Sequence, residues 1–196
     1  MTSTSILFAG VGGQGIILAT KIVAQCAFTL GYMVKESEIH GMAQRGGSVT
    51  SHVRFGEEVY SPLIPKGKAD YLVALEELEG LRSVDYLKPA GIIILNTRRI
   101  MPANINPEKA PYPEDVIAQL QSYGFQVVAL NALEIAQQLG NPRVENIILL
   151  GALSVHLSFP LETWEKVISE SVPQKTVEIN LTAFKHGRNQ KSEVRS

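Results

Sequence analysis

The chain has 196 residues, and 18 Lys and Arg stand against 19 Asp and Glu for a formal net charge of −1. That balance excludes the basic footprint of a nucleic-acid-binding protein, and no apolar run reaches the ~20 residues of a membrane-spanning helix. A single cysteine excludes an internal disulfide and a self-contained iron–sulfur cluster, which takes four thiolates. The N-terminus lacks the basic-then-apolar layout of a signal peptide, so the expected location is cytoplasmic. With 19% charged residues and a mean hydropathy of +0.07, part of the surface is expected to be covered by another chain.

Ile6-Leu-Phe-Ala9 reads as a short buried strand broken by Gly10-Val-Gly-Gly-Gln-Gly15. Gly10, Gly12 and Gly15 satisfy G-x-G-x-x-G between a strand and a helix. On that pattern Gly10 makes the tight turn, Gly12 admits a ligand to the backbone, and Gly15 lets helix and strand pack closely. The N–H groups of the following helix then offer an anion site. A dinucleotide, a CoA pyrophosphate or no ligand at all fits this loop equally. Ile16, Ala19, Val23, Cys26 and Leu30 form one apolar helical face, with Gly31 as the stop. Cys26 on that face reads as a buried, inert thiol.

Tyr32–Lys35 reads as a second strand completing a βαβ start. Glu36 and Glu38 fall near the place where a dinucleotide fold takes the ribose hydroxyls, so NAD stays open at this point. Ile39–Gly47 is a glycine-punctuated loop rather than a crossover helix, and His40 sits in it between Glu38 and Arg45. Ser48–Phe55 alternates as a strand, and Gly56-Glu-Glu58 reads as a turn pairing it with Val59-Tyr-Ser61. Asp70–Leu75 and Ile92–Leu95 are buried strands, and Phe125–Leu130 is another, with Asn131 placed to cap the helix after it. Helices are expected over about 114–122, 144–157, 160–171 and 173–184, with a polar tail from Gly187. The fold class is therefore α/β, a Rossmann-like wound, mostly parallel sheet with an inserted β-hairpin and C-terminal helices. One domain spans 1–186, and 187–196 is a flexible tail.

The histidines His40, His52, His156 and His186 have no metal-ligand spacing. Glu76, Glu77 and Glu79 read as acidic residues favoured in a helix's first turn, and Arg98-Arg99 as a solvated pair. No serine nucleophile elbow and no P-loop lysine are present. The chain has crevice-forming glycines without a self-sufficient chemical apparatus.

These residues resemble one family closely. Gly10–Gly15, Glu38-Ile-His-Gly-Met-Ala-Gln-Arg-Gly-Gly47, Val53-Arg54, Ser61-Pro62, Asp70–Glu76, Asn131–Ala136, Gly140–Val144, Leu150–Leu153 and Asn180–Phe184 are similar to the gamma domain of 2-oxoacid:ferredoxin oxidoreductases. The wording of residues 38–47 most resembles the branch that oxidises indolepyruvate. The resemblance implies CoA-dependent oxidative decarboxylation of a 2-oxoacid, with ferredoxin as electron acceptor. It puts thiamine diphosphate, Mg and [4Fe-4S] clusters on a large partner subunit, with this chain completing the complex and bordering the site. Gly10, Gly12, Gly13, Gln14, Gly15, Glu38, His40, Gly41, Gln44, Arg45, Gly46, Gly47 and Ser48 are the candidates for facing CoA or the partner. No catalytic residue and no metal ligand carries over. A gamma subunit for pyruvate, 2-oxoglutarate or branched-chain 2-oxoacids is the nearest alternative, and a free-standing NAD(P)-dependent dehydrogenase is the alternative from another class.

Overall fold

In β1 (Thr4–Val11), Ile6 and Phe8 face one apolar cluster while Leu7 and Ala9 face another. A strand that is buried on both faces in this way occupies the centre of a covered sheet. The computed structural model describes residues 3–40, 47–101 and 111–190. After β1 come α1 (Ile16–Thr29), β2 (Met33–His40), β3 (Ser48–Gly56), β4 (Ala69–Ala74), α2 (Glu77–Ser83), β5 (Leu87–Asn96), α3 (Val116–Ser122) and β6 (Gln126–Leu130). The C-terminal elements are α4 (Ala132–Gln138), α5 (Glu145–Ser154), α6 (Leu161–Ser171) and α7 (Val177–Arg188). The six strands form one sheet in the order β2-β3-β1-β4-β5-β6. The β1–β4, β4–β5 and β5–β6 pairs are parallel, and β3 alone runs against its neighbours β1 and β2.

The hairpin expected between 48–55 and 59–61 does not form. β3 pairs with β2, from Met33↔Gly56 to His40↔Val49, rather than with 59–61. The stretch 59–64 instead crosses the sheet face as a strap. Arg54 Nη1 donates to the Ser61 carbonyl at 3.0 Å, the Ile64 N–H donates to His52 Nδ1 at 3.1 Å, and Val59 and Ile64 are buried. Pro62 and Pro65 have no N–H to give a ladder, which favours the strap over a strand. The βαβ expectation is corrected in the same way: β3 lies between β1 and β2, so the strand after α1 is an edge strand.

One core cluster lies under α1 and α4–α7, and the other lies under α2, α3 and the strap. Every residue of α5 is buried, so it forms the centre of the helical layer. Its close neighbour is α7. A Cβ on Gly151 would meet the Phe184 carbonyl oxygen at 2.1 Å, and one on Gly187 would meet the Ile148 oxygen at 1.8 Å. Gly187 is thus a helix-contact residue, and the tail boundary expected there falls inside α7.

Candidate functional site

The chain leaves β1 toward β2 on one side and later builds β4, β5 and β6 on the other. The strand order therefore reverses between β1 and β4, and ligands of open α/β sheets gather at the carboxyl ends there. The glycine run supplies this edge, with a different division of labour from the motif's usual one. Gly10 remains in β1. A Cβ on it would lie 2.8 Å from Gln14 Oε1 and 3.0 Å from Leu75 Cβ, so it serves close packing and not the turn. The left-handed positions are Gly13 (φ 99°) and Gly15 (φ 75°). Gly15 abuts α5 rather than the strand: its carbonyl accepts from Asn146 Nδ2 at 3.0 Å, and a Cβ there would lie 2.6 Å from that nitrogen.

Gln14 spans the strand ends. Its Oε1 accepts the Val11 N–H at 2.7 Å, and its Nε2 donates to the Leu75 carbonyl at 2.8 Å. The two candidate loops also meet, because the Gly12 N–H donates to the Gly47 carbonyl at 3.0 Å. Ser48 pairs with Val11 across the ladder, and its hydroxyl donates to Glu79 Oε2 at 2.5 Å. The Gln14 amide and the Ser48 hydroxyl therefore hold the framework. Among the described residues of the glycine turn, what faces outward is mainly backbone. α1 has no side-chain cap and no acidic residue in its first turn, so its N-terminal dipole is uncompensated.

Glu38 lies exposed on β2, and so does Glu36. The interposed β3 puts their strand two spacings from β1, about 9–10 Å, where a dinucleotide fold needs it adjacent. This geometry removes the ribose contact on which the NAD reading depended. His40 is the last β2 residue and pairs with Val49. Gly41, Gln44, Arg45 and Gly46 lie outside the described residues.

Beside the glycine turn lies a buried charge network that the sequence reading missed. Glu77 and Glu79 do fall in the first turn of α2, with Glu76 at its cap, but they are 3%, 3% and 1% exposed, so all three are buried. Glu76 caps α2 by accepting the Glu79 N–H, and it also accepts the Ile100 N–H and the Tyr112 hydroxyl. Burial, and after it the hydrogen bond to Glu76, pushes the Tyr112 phenol up, which keeps it a donor. Glu77 pairs with Arg99 at 2.7 Å, Glu79 with Arg82 at 2.7 Å, and Glu145 with Arg98. Arg98 and Arg99 are thus partners of buried carboxylates rather than a free solvated pair. Burial raises the Glu145 carboxyl, against the opposing effects of Arg98 and Asn96. Asn96 is fully buried and joins three elements, donating to the Leu75 carbonyl and Glu145 and accepting the Ala132 N–H. The Glu77–Arg99 and Glu145–Arg98 pairs needed tertiary structure, whereas Glu79–Arg82 lies within one turn of α2.

Elsewhere, Cys26 is fully buried and its thiol is pushed up to about 12 by burial, which matches the inert reading. His52 and His156 are both lowered by burial, so the neutral imidazole is favoured. Among the described residues, no group of three His, Cys, Asp or Glu side chains is placed to hold a metal ion. No helix among them is long and apolar enough to cross a membrane.

Comparison with known proteins adds the following. The family model described as pyruvate ferredoxin/flavodoxin oxidoreductase matches residues 5–190. The indolepyruvate oxidoreductase subunit IorB of Thermococcus kodakarensis is 41% identical over 192 residues, covering 95% of this chain and 95% of that protein. The subunit of the same name from Archaeoglobus fulgidus is 42% identical over 190 residues, covering 95% and 94%. Among solved structures, the gamma subunit of a keto/oxoacid ferredoxin oxidoreductase from Geobacter sulfurreducens has a TM-score of 0.70 at 28% identity. That match covers 94% of this chain and 95% of that one.

Proposed function

The chain belongs to the pyruvate ferredoxin/flavodoxin oxidoreductase family, and on that premise we propose that it is the small subunit of a cytoplasmic oxidoreductase acting on indolepyruvate or a related arylpyruvate. Its larger partner carries thiamine diphosphate, Mg and the iron–sulfur clusters and passes electrons to ferredoxin. The donor set here supports that division. The lone cysteine is buried with its thiol protonated, and the described carboxylates at the strand ends are committed to Arg82, Arg98, Arg99, Tyr112 and backbone N–H groups.

The observation that carries the reading is the meeting of residues 10–15 with Gly47 and Ser48 at the carboxyl ends of the sheet. This mouth borders the entry of CoA, whose thiol takes up the acyl group when CoA is bound. Backbone N–H groups at the uncapped start of α1 suit its phosphates. The network behind them does not, because four carboxylates there (Glu76, Glu77, Glu79, Glu145) meet three guanidinium groups (Arg82, Arg98, Arg99). The proposed place for the CoA phosphates is therefore the side of α1 and Gly47–Ser48, away from α2.

Anaerobic purification from the native source tests the assignment. A larger, cysteine-rich brown chain should accompany this one in equal amount. Together they should reduce a dye only when indolepyruvate and CoA are both supplied. A colourless chain that travels alone refutes the subunit role. A complex that turns over pyruvate or 2-oxoglutarate in preference refutes the substrate.

A further inference from the structure

Glu79 occupies the third position of α2, where a glutamate ordinarily folds back onto the N–H of its own cap residue. Here its two oxygens leave the helix terminus. One accepts the Ser48 hydroxyl at the start of β3, and the other takes Arg82 at 2.7 Å. The residue is 3% exposed, and a buried carboxylate costs free energy unless it is paired. Helix α2 has no need of it as a cap, because Glu76 already fills that position.

The link it makes falls at one place on the mouth. Ser48 opposes Val11 in the β1–β3 ladder, and one residue further on, the Gly12 N–H reaches the Gly47 carbonyl. The glycine side of the mouth is held separately, by Gln14 on the Leu75 carbonyl. Both sides are thereby referenced to the same β4–α2 turn, Leu75 through Glu79. We propose that Glu79 is a positioning residue: by holding the Ser48 hydroxyl, it sets the spacing between the Gly47–Ser48 backbone and the glycine turn at which CoA enters. The CoA half of this inference rests on the function proposed above.

The test uses the assembled two-subunit enzyme with Glu79→Ala, Glu79→Gln and Ser48→Ala. Amide hydrogen exchange at Gly12 reads the spacing directly. It should quicken about tenfold or more in Glu79→Ala and Ser48→Ala and stay near wild type in Glu79→Gln, which keeps an acceptor for Ser48. The KM for CoA should rise about tenfold in the two alanine variants, exceeding any change in kcat, with the KM for the 2-oxoacid unmoved and the glutamine variant largely rescued. Ser48→Ala leaves the Glu79–Arg82 pair in place, so it keeps the test open if Glu79→Ala does not fold. Unchanged exchange at Gly12 in Ser48→Ala overturns the positioning role whatever the activity. Quickened exchange with an unchanged KM for CoA overturns its connection to CoA. A wild-type complex with no CoA dependence strikes the proposed function, and exchange then decides the positioning role alone.

Discussion

Replacing Gly187 with alanine sets two effects of opposite sign against each other. In an isolated helix the change stabilises by about 1 kcal/mol through propensity. In this fold the new Cβ would sit 1.8 Å from the Ile148 carbonyl oxygen, where ordinary contact starts at 3.4 Å, so α5 and α7 must part by about 1.6 Å. The obstruction is backbone on both sides, and no rotamer relieves it. Overpacking of a well-filled core costs typically about 1–3 kcal/mol, and a displaced helix pair lies at or beyond the upper end. The net expectation is a loss of about 2 kcal/mol or more, which for a chain of this size lowers Tm by about 4–8 °C. Urea and thermal melts of the full chain by circular dichroism measure it. The sole tryptophan provides a local probe, since buried Trp164 lies 5.4 Å from the Phe184 ring of α7. A variant as stable as wild type, or more stable by the propensity increment, refutes the close α5–α7 crossing.

Other outcomes follow from single residues. The folded-state carboxyl of Glu145 is raised, so its contribution is most favourable below its unfolded pKa and is lost as pH climbs through the folded one; the stability of Glu145→Gln relative to wild type should therefore increase from pH 4 to pH 7 in paired urea melts, and a flat difference contradicts it. His52 is lowered by burial and accepts the Ile64 N–H, so its contribution is present above its unfolded pKa and is lost as pH falls through the folded one. His52→Leu should cost about 1–3 kcal/mol at pH 8 through the orphaned N–H, with a smaller difference from wild type at pH 5; an equal cost at both pH values sinks the assignment. Ala90 is exposed and held at φ 60°, a conformation costing a non-glycine residue about 1–2 kcal/mol. Ala90→Gly should recover part of that as a higher urea midpoint, and a lower midpoint would show that the strain is absent.

Local chemistry made much of the molecule legible from sequence. The continuous apolar run Ile6–Ala9, the 3.6-residue face of α1 with Gly31 behind it, and Asn131 capping α4 each depend on near neighbours in the chain. The wound α/β class followed from the order of such elements, and the family resemblance followed from motifs that are contiguous in sequence. Pairings between distant segments were not legible. β2 and 59–61 competed for one edge of β3, and the contest was decided by prolines that cannot ladder and by Arg54 and His52 reaching the strap. Glu76, Glu77 and Glu79 looked like ordinary first-turn acids until Arg99, Tyr112 and Ser48 arrived from elsewhere in the chain, beside Arg82 from the same helix. Gly187 passed for a helix end because only the α5 backbone shows that a side chain has no room there. Sequence alone determined most of the elements and the family resemblance, since periodicity, capping and motif spacing act within a few residues. The tertiary structure decided which strand lies beside which and which charges are buried together, because those energies arise only when segments far apart in the chain exclude water from one another.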